Sequence, residues 1–330
     1  VLEQQEIAAF IEPFGIGPLL SFEGIAAGVE NTNYRITTDH SALGTENRTA
    51  DEKSFFLTVF EAIDETELAF YADLTTLLNL RGLPVPCPIT DSDGKAIKTL
   101  QGKPALLVEL VPGEHPKTAS VGQCKELGQQ LAQMHKVCLD AKKTHKAARD
   151  IEWLAGIYEH LAPKLNTDDA QLLEQEMAYF HHWEQPLQSA QSELPKAIIH
   201  GDLFRDNALF VGDRLSGVID FNSAGTGYLL YDLAIVVNDW CSRTDGSLDP
   251  ALSSTLLDAY QQYRPLSTTE IHHWNDMLRI AATRFWVSRL LAKLAPAEDH
   301  RPGSLVNIKD PAEYRRILCQ RIEHPYRLAD

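Results

Sequence analysis

No stretch of this chain stays apolar for the roughly 18–20 residues that a membrane-spanning helix requires, so a membrane is not an expected partner. Positive charge is also scarce: 30 Lys and Arg stand against 46 Asp and Glu, a net −16. Nucleic acid is held by clustered cations, so it too is not expected as the main partner. Cysteine is rare and unpatterned. Cys87, Cys124, Cys138, Cys241 and Cys319 are an odd set without C-x-x-C spacing, which argues against a disulfide framework and reads as reduced thiols filling small core sites. The acidic start, Val1 to Glu6, lacks the basic region of a secretory signal, so a cytoplasmic location is expected. Repeats and low-complexity tracts are absent. What remains is 330 residues, 44% hydrophobic and 23% charged, an ordinary globular composition with length for two lobes and their cores.

Residues 1–111 read as a strand-rich lobe carrying one long helix. Phe22 to Ile36 has the pattern of strand, glycine-bearing turn, strand. Gly24 and Gly28 would let main chain come close to another group, and turn N–H groups can hold phosphate; an ordinary tight turn is the competing reading. Phe55–Phe60 is the next strand. Asp64-Glu65-Thr66-Glu67 opens a helix with Leu68, Tyr71, Leu74, Leu77 and Leu78 on its apolar face, stopped by Arg81-Gly82-Leu83-Pro84. A hairpin is expected around Asp93-Gly94, then a buried strand over Pro104–Val111 that runs into Pro112-Gly113. That breaker pair is the expected lobe junction.

From residue 112 to 330 the pattern turns helical. Helices are expected over Cys124–Leu139, Ile151–Leu165, Asp168–Leu187, Ala251–Arg264, Thr268–Leu294 and Pro311–Ile322, with the segment Tyr231–Cys241 between the third and fourth. His135 lies beside the apolar face of the first and reads as a core histidine satisfied by neighbours. Trp153, Tyr158, Phe180 and Trp183 read as packing residues.

The chemistry concentrates in His200-Gly201-Asp202-Leu203-Phe204-Arg205-Asp206-Asn207, followed by Gly217-Val218-Ile219-Asp220-Phe221. Ala197–Ile199 enters this stretch as a strand, Ala208–Val211 leaves it as another, and Leu215–Ile219 returns after the Gly212-Asp213 turn. The hairpin would bring Asn207 and Asp220 to one end. An Asp, an Asn five residues on, and a second Asp after a hairpin is the layout of a phosphotransferase site. One carboxylate takes the proton of an attacking hydroxyl, while the amide oxygen and the other carboxylate hold Mg²⁺ on nucleotide phosphates. Asp is also a common turn residue, but three matched positions around a hairpin exceed what turns require.

With these motifs in place, the chain resembles the aminoglycoside-phosphotransferase-like branch of the protein-kinase superfold, and within it the bacterial homoserine kinase family. The resemblance is carried by Gly24–Tyr34, Phe56–Glu61, His200–Phe210, Tyr231–Cys241, Asp245–Pro250 and Arg284–Leu290, and it spans nearly the whole chain. It implies an α+β, bilobal protein-kinase-like fold with a strand-rich N-lobe and a mostly helical C-lobe. It implies ATP and Mg²⁺, with Asp202 as catalytic base and Asn207 and Asp220 as metal ligands. Gly24, Gly28, Asn31 and Asn33 would cover the phosphates, and the adenine would lie near Glu109 and Val111. L-homoserine would be the small-molecule substrate, in threonine biosynthesis.

One position departs from the kinase plan. The third strand usually supplies a Lys to the phosphates, and here that position is Thr58. Lys53 lies too far back to replace it, and Arg35 is a bare candidate. A nucleotide-binding pseudokinase therefore stays open, as does a kinase of another small alcohol such as an aminoglycoside, choline or hydroxylysine. A homoserine acceptor carries a carboxylate and an ammonium. Arg205 and Arg284, with Arg289 behind them, are candidates for the first, and Asp239 or Asp232 for the second. For Arg289 and Asp232 a structural ion pair is an equal reading. Trp240 and Tyr228 either wall the pocket or simply pack.

Overall fold

The computed structural model describes residues 2–25, 31–41, 52–147, 151–187, 194–295 and 309–328. The described residues up to Pro112 form one compact unit, and those from Gly113 onward form a second.

The first unit begins with α1 (Gln4–Ile11), closed by a capping box between Glu3 and Glu6. Strands β1 (Leu19–Ile25), β2 (Thr32–Asp39) and β3 (Glu52–Val59) follow, then α2 (Glu65–Leu80), β4 (Lys98–Leu100) and β5 (Lys103–Glu109). The strands form one antiparallel sheet in the order β1-β2-β3-β5-β4. Alternation puts Tyr34, Ile36, Phe55, Leu57, Val59, Ala105 and Leu107 on one face, packed with Ile7, Phe10, Ile11 and Phe14 from the N-terminal segment. Asp64 caps α2 by accepting from the Glu67 amide at 2.9 Å, and Leu68, Tyr71, Leu74 and Leu78 are buried as expected, with Leu77 half-buried. Gly82 ends the helix at a φ of 81°, a left-handed conformation that favours glycine.

The hairpin expected around Asp93-Gly94 does not form. A turn is there, organised by the Asp91 carboxylate, which accepts from the amides of Asp93 at 2.9 Å and Lys95 at 2.8 Å. No strand enters it, because Pro84, Pro86 and Pro88 lack the N–H donors that a ladder needs. The true hairpin, β4–β5, turns at Gln101-Gly102.

The second unit contains α3 (Val121–Ala141), α4 (Ile151–Leu161), α5 (Thr167–Leu187), β6 (Lys196–Ile199), β7 (Ala208–Val211), β8 (Arg214–Val218), β9 (Gly225–Tyr228), α6 (Leu229–Trp240), α7 (Pro250–Tyr263), α8 (Thr268–His272), α9 (Trp274–Leu294) and α10 (Pro311–Glu323). Helix α6 is buried along its whole length and packs on α9, which also carries α10. Helices α3 and α7 approach closely at Gly128, where a Cβ would fall 2.4 Å from the Leu256 carbonyl oxygen. The single helix expected over Thr268–Leu294 is broken at His273. That residue leaves helical geometry, and its Nδ1 accepts from Trp183 Nε1 at 2.9 Å.

Candidate active site

The site in the second unit rests on two separate two-stranded pieces. Strand β6 pairs with β9, not with β7, while β7 and β8 form their own hairpin. His200 to Asn207 is thus a connection between the two pieces, free of ladder constraints and shaped by side chains.

Two hydrogen bonds join this connection to the segment around Asp220. The Ile219 amide donates to the Asn207 carbonyl at 3.0 Å, so Asp220 emerges next to Asn207. His200 Nε2 donates to the Ile219 carbonyl at 3.0 Å, and its Nδ1 accepts from the Asp202 amide at 3.3 Å. One imidazole therefore bridges the two motifs. Gly201 has a φ of 75°, and a Cβ there would sit 2.7 Å from the Ser223 carbonyl oxygen. Both the left-handed backbone and the close approach require glycine. Asp220 itself has a φ of 63°, a region that Asp and Asn tolerate better than other side chains.

Asn207 donates Nδ2 to the Asp202 carbonyl at 2.7 Å, which turns its Oδ1 away from that carbonyl. Asn207 and Asp220 offer hard oxygens, the donor type that Mg²⁺ takes when phosphates supply the remaining ligands. Among the described residues no group of three or more His, Cys, Asp or Glu is arranged to hold a metal alone.

Buried charge underlies the loop. The Asp232 carboxylate, on α6, accepts from the amides of His200 and Gly201, each at 2.9 Å. It also accepts from His135 Nε2 at 3.1 Å. His135 Nδ1 in turn meets the Tyr260 hydroxyl at 2.7 Å, and Tyr260 accepts from Arg264 at 3.0 Å. Burial alone would raise Asp232, but His135, His200 and the Gly201 amide outweigh it and hold its pKa below the ordinary carboxylate value. Burial lowers the pKa of His135 despite its carboxylate neighbour. The pair is thus a neutral imidazole donating to an ionised carboxylate. Asp232 anchors the loop. It is satisfied by protein donors, so the ammonium role considered from sequence is replaced by a structural one.

The other charged candidates divide. Arg205 and Asp239 pair with each other, Nε to Oδ2 at 3.1 Å, and Asp239 also accepts from the Arg205 amide at 2.9 Å. Arg205 further donates to the Lys117 carbonyl at 2.9 Å. Arg284, on α9, is buried, and its Nη1 lies 3.7 Å from Asp202 Oδ1, whose side chain is 31% exposed. Its Nε has no hydrogen-bond partner among the described residues, a condition that costs about 1–3 kcal/mol unless something else satisfies it. Arg289 binds Glu313 at 2.5 Å and the Asp310 carbonyl at 3.1 Å, which fits its structural reading. Trp240 donates to the Leu203 carbonyl at 3.2 Å and packs against Phe210. Tyr228 lies beneath Lys196 and beside Trp183.

In the first unit, Asn33 and Thr58 are opposite each other on β2 and β3, on the face away from the buried core. Lys53 sits across from Thr38 and, five residues from Thr58, alternates to the other face. Arg35 is exposed on the Asn33 face. Asn31 accepts from the Glu61 amide at 3.4 Å, and Glu61 also receives Thr32 at 2.7 Å and the Lys103 ammonium. Gly24 lies in regular strand opposite Tyr34, and a Cβ there would make only ordinary contact, 3.8 Å from the Tyr34 ring. Among the described residues of its unit nothing demands glycine at 24. Gly28 lies outside the described residues. Glu109 ends β5 opposite Phe55. Val111 follows Leu110, whose amide donates to Ser54 at 2.9 Å.

Sequence reasoning missed the part played by His200, and for Asp232 it weighed a structural ion pair without finding the partners. The signal for the first was its place two residues before Asp202; for the second there was only the apolar surroundings of Tyr231–Val237.

An antiparallel sheet unit, a helical unit, and an Asp–Asn–Asp set around a hairpin define the fold and layout of a small-molecule phosphotransferase. The chain belongs to the phosphotransferase enzyme family, whose model matches residues 21–266. It is 40% identical over 320 residues to a homoserine kinase of Pseudomonas aeruginosa strain LESB58, covering 97% of this chain and 95% of that one. It is 37% identical over 327 residues to a homoserine kinase of Cupriavidus necator, covering 97% and 95%. Among solved structures it is similar in fold to a microcompartment-associated aminopropanol kinase, with a TM-score of 0.68 at 16% identity, covering 97% of each chain. An amicoumacin kinase in complex with AMP-PNP and Ca²⁺ gives a TM-score of 0.66 at 17% identity, covering 98% of this chain and 94% of that one.

Proposed function

We propose that this protein is a homoserine kinase: L-homoserine and ATP give O-phospho-L-homoserine and ADP, a step of threonine biosynthesis. The observation that carries the reading is the joining of Asp202, Asn207 and Asp220 through His200, Gly201 and the Asn207–Ile219 hydrogen bond. Near-full-length similarity to homoserine kinases supports the choice of acceptor.

In the proposed reaction the side-chain hydroxyl oxygen bonds to the γ-phosphorus. The bond from that phosphorus to the β–γ bridging oxygen breaks, and its electron pair leaves with ADP. Asp202 takes the hydroxyl proton. Most of the acceleration comes from positioning and charge neutralisation. Asn207 and Asp220 would hold Mg²⁺, which supplies positive charge against the phosphate oxygens. Asn31 and Asn33, with Gly24 and Gly28, are assigned to the phosphates, and the main chain near Glu109 and Val111 to the adenine. Arg284 is assigned to the substrate carboxylate. Arg205 and Asp239, being paired, would act together, with Asp239 receiving the ammonium while Arg205 fixes it. With Thr58 at the usual lysine position, Mg²⁺ would supply charge at the phosphates, and Arg35 on the Asn33 face is the remaining candidate cation.

The test is ADP release from Mg-ATP with L-homoserine, D-homoserine, L-serine, L-threonine, choline, hydroxylysine and kanamycin, each beside Asp202→Asn. Turnover of L-homoserine, with a loss of about 10²-fold or more in the variant, is the expected result. Turnover of another acceptor alone would remove the substrate assignment. ATP binding without any turnover would favour the pseudokinase.

A further inference from the structure

Four buried polar atoms on α9 and α10 have no hydrogen-bond partner among the described residues: Trp274 Nε1 at the first residue of α9, and Arg284 Nε, Ser288 Oγ and Tyr314 Oη further along the pair. Native interiors satisfy nearly all such groups, so a cluster of them along one helix pair calls for an occupant. Arg284 and Ser288 are four residues apart on α9 and so share a face. Tyr314 lies on α10, which packs along α9. Its ring is 5.5 Å from that of Phe285 and stacks at 5.8 Å on Phe204, two residues beyond Asp202. Arg284 Nη1 is 3.7 Å from Asp202 Oδ1. Arg284 therefore borders the residue assigned to the acceptor's proton, with Ser288 one turn further along α9 and the Tyr314 ring against Phe204.

Arg284, Ser288 and Tyr314 can all donate, and a carboxylate accepts several hydrogen bonds at once, best from a guanidinium joined by hydroxyls. Burial foremost, with Asp239 adding to it, pushes the Tyr314 pKa well above its ordinary value, so the hydroxyl keeps its proton at neutral pH. An amino alcohol without a carboxylate would leave these donors unmet, and sites of that kind reject ligands lacking the matching group.

We propose that Ser288 and Tyr314 are specificity-determining residues whose hydroxyls, beside Arg284, bind the carboxylate of the acceptor. The proposal rests on the homoserine reading above. It singles out two side chains that do no chemistry but decide that the acceptor is an amino acid.

The test compares L-homoserine with 3-aminopropan-1-ol, the same molecule without its carboxylate, in the full chain and in Tyr314→Phe and Ser288→Ala. Phenylalanine keeps the ring against Phe204 and Phe285 and removes only the hydroxyl. The expected result is a wild-type preference for L-homoserine in kcat/KM that falls about 10-fold or more in each variant. KM for ATP stays unchanged. L-homoserine raises the wild-type Tm more than that of either variant. If the variants keep the wild-type preference and the wild-type response to L-homoserine, the proposal is overturned while the acceptor reading stands. A wild type inactive on L-homoserine overturns both.

Discussion

His135 donates to Asp232 at 3.1 Å where neither side chain has any exposed surface. The same carboxylate holds two consecutive amides of the loop that carries Asp202. Core stability and site geometry thus share one anion, and the loop is only as firm as the charge beneath it.

Asp232→Asn follows directly. An amide has one acceptor oxygen, and its NH₂ would face donors that now meet a carboxylate. Breaking a buried charged arrangement costs about 3–5 kcal/mol, so the variant should unfold at markedly lower urea concentration. Its kcat should fall as well, because the His200 and Gly201 amides lose their common anchor. Urea melts and steady-state kinetics on one preparation check both.

The pH response has a definite sign. Burial lowers the His135 pKa in the folded state, so between that value and the unfolded value of about 6.5 the unfolded chain binds more protons. The stability from a neutral His135 is complete above about pH 6.5 and is lost as pH falls toward the folded pKa. Asp232, also lowered, adds a further loss at more acidic pH. His135→Gln, which can still donate to Asp232, should show a smaller Tm drop between pH 7.5 and pH 5.5 than wild type. An equal drop would remove His135 from the account.

Asp220 allows charge to be separated from backbone. Its φ is 63°, and Asn accepts that conformation about as well as Asp. Asp220→Asn should melt like wild type yet lose Mg²⁺-dependent strengthening of ATP binding in calorimetry. Asp220→Ala should lose the same binding and about 1 kcal/mol or more of stability, because a left-handed residue without a local hydrogen bond is strained.

The close approach at Gly128 predicts a large effect from one methyl group. A Cβ 2.4 Å from the Leu256 carbonyl would push α3 from α7, and overpacking of this kind costs about 1–3 kcal/mol. Gly128→Ala should lower Tm by several degrees and leave KM for ATP unchanged, as read by calorimetry and kinetics.

Arg205 and Asp239 should behave as a pair. In a double-mutant cycle of Arg205→Ala and Asp239→Asn, a coupling of about 0.5–3 kcal/mol in stability is expected for contacting charges. Additive effects would mean that each acts alone.

By itself the sequence determined the local chemistry. Asp202, Asn207 and Asp220 could be singled out from residue type and spacing, and the Ile219–Asn207 hydrogen bond brings two of them side by side. The buried strand over Pro104–Val111 was expected, and its centre, Ala105 to Leu107, is buried. The capped start and glycine stop of α2 were equally plain. These features depend on a few neighbouring residues, and local sterics and hydrogen bonding decide them.

Tertiary structure alone decided the partners. It paired β6 with β9, matched Arg205 with Asp239, turned Asp232 inward to the loop, and broke a helix at His273 beneath Trp183. It also brought Tyr314 against Phe204 from more than a hundred residues away. A charged side chain can meet any opposite charge that the fold delivers, and its sequence neighbours carry no record of which one arrives. The chemistry of this site was therefore written locally, while the allocation of its ions was settled by packing.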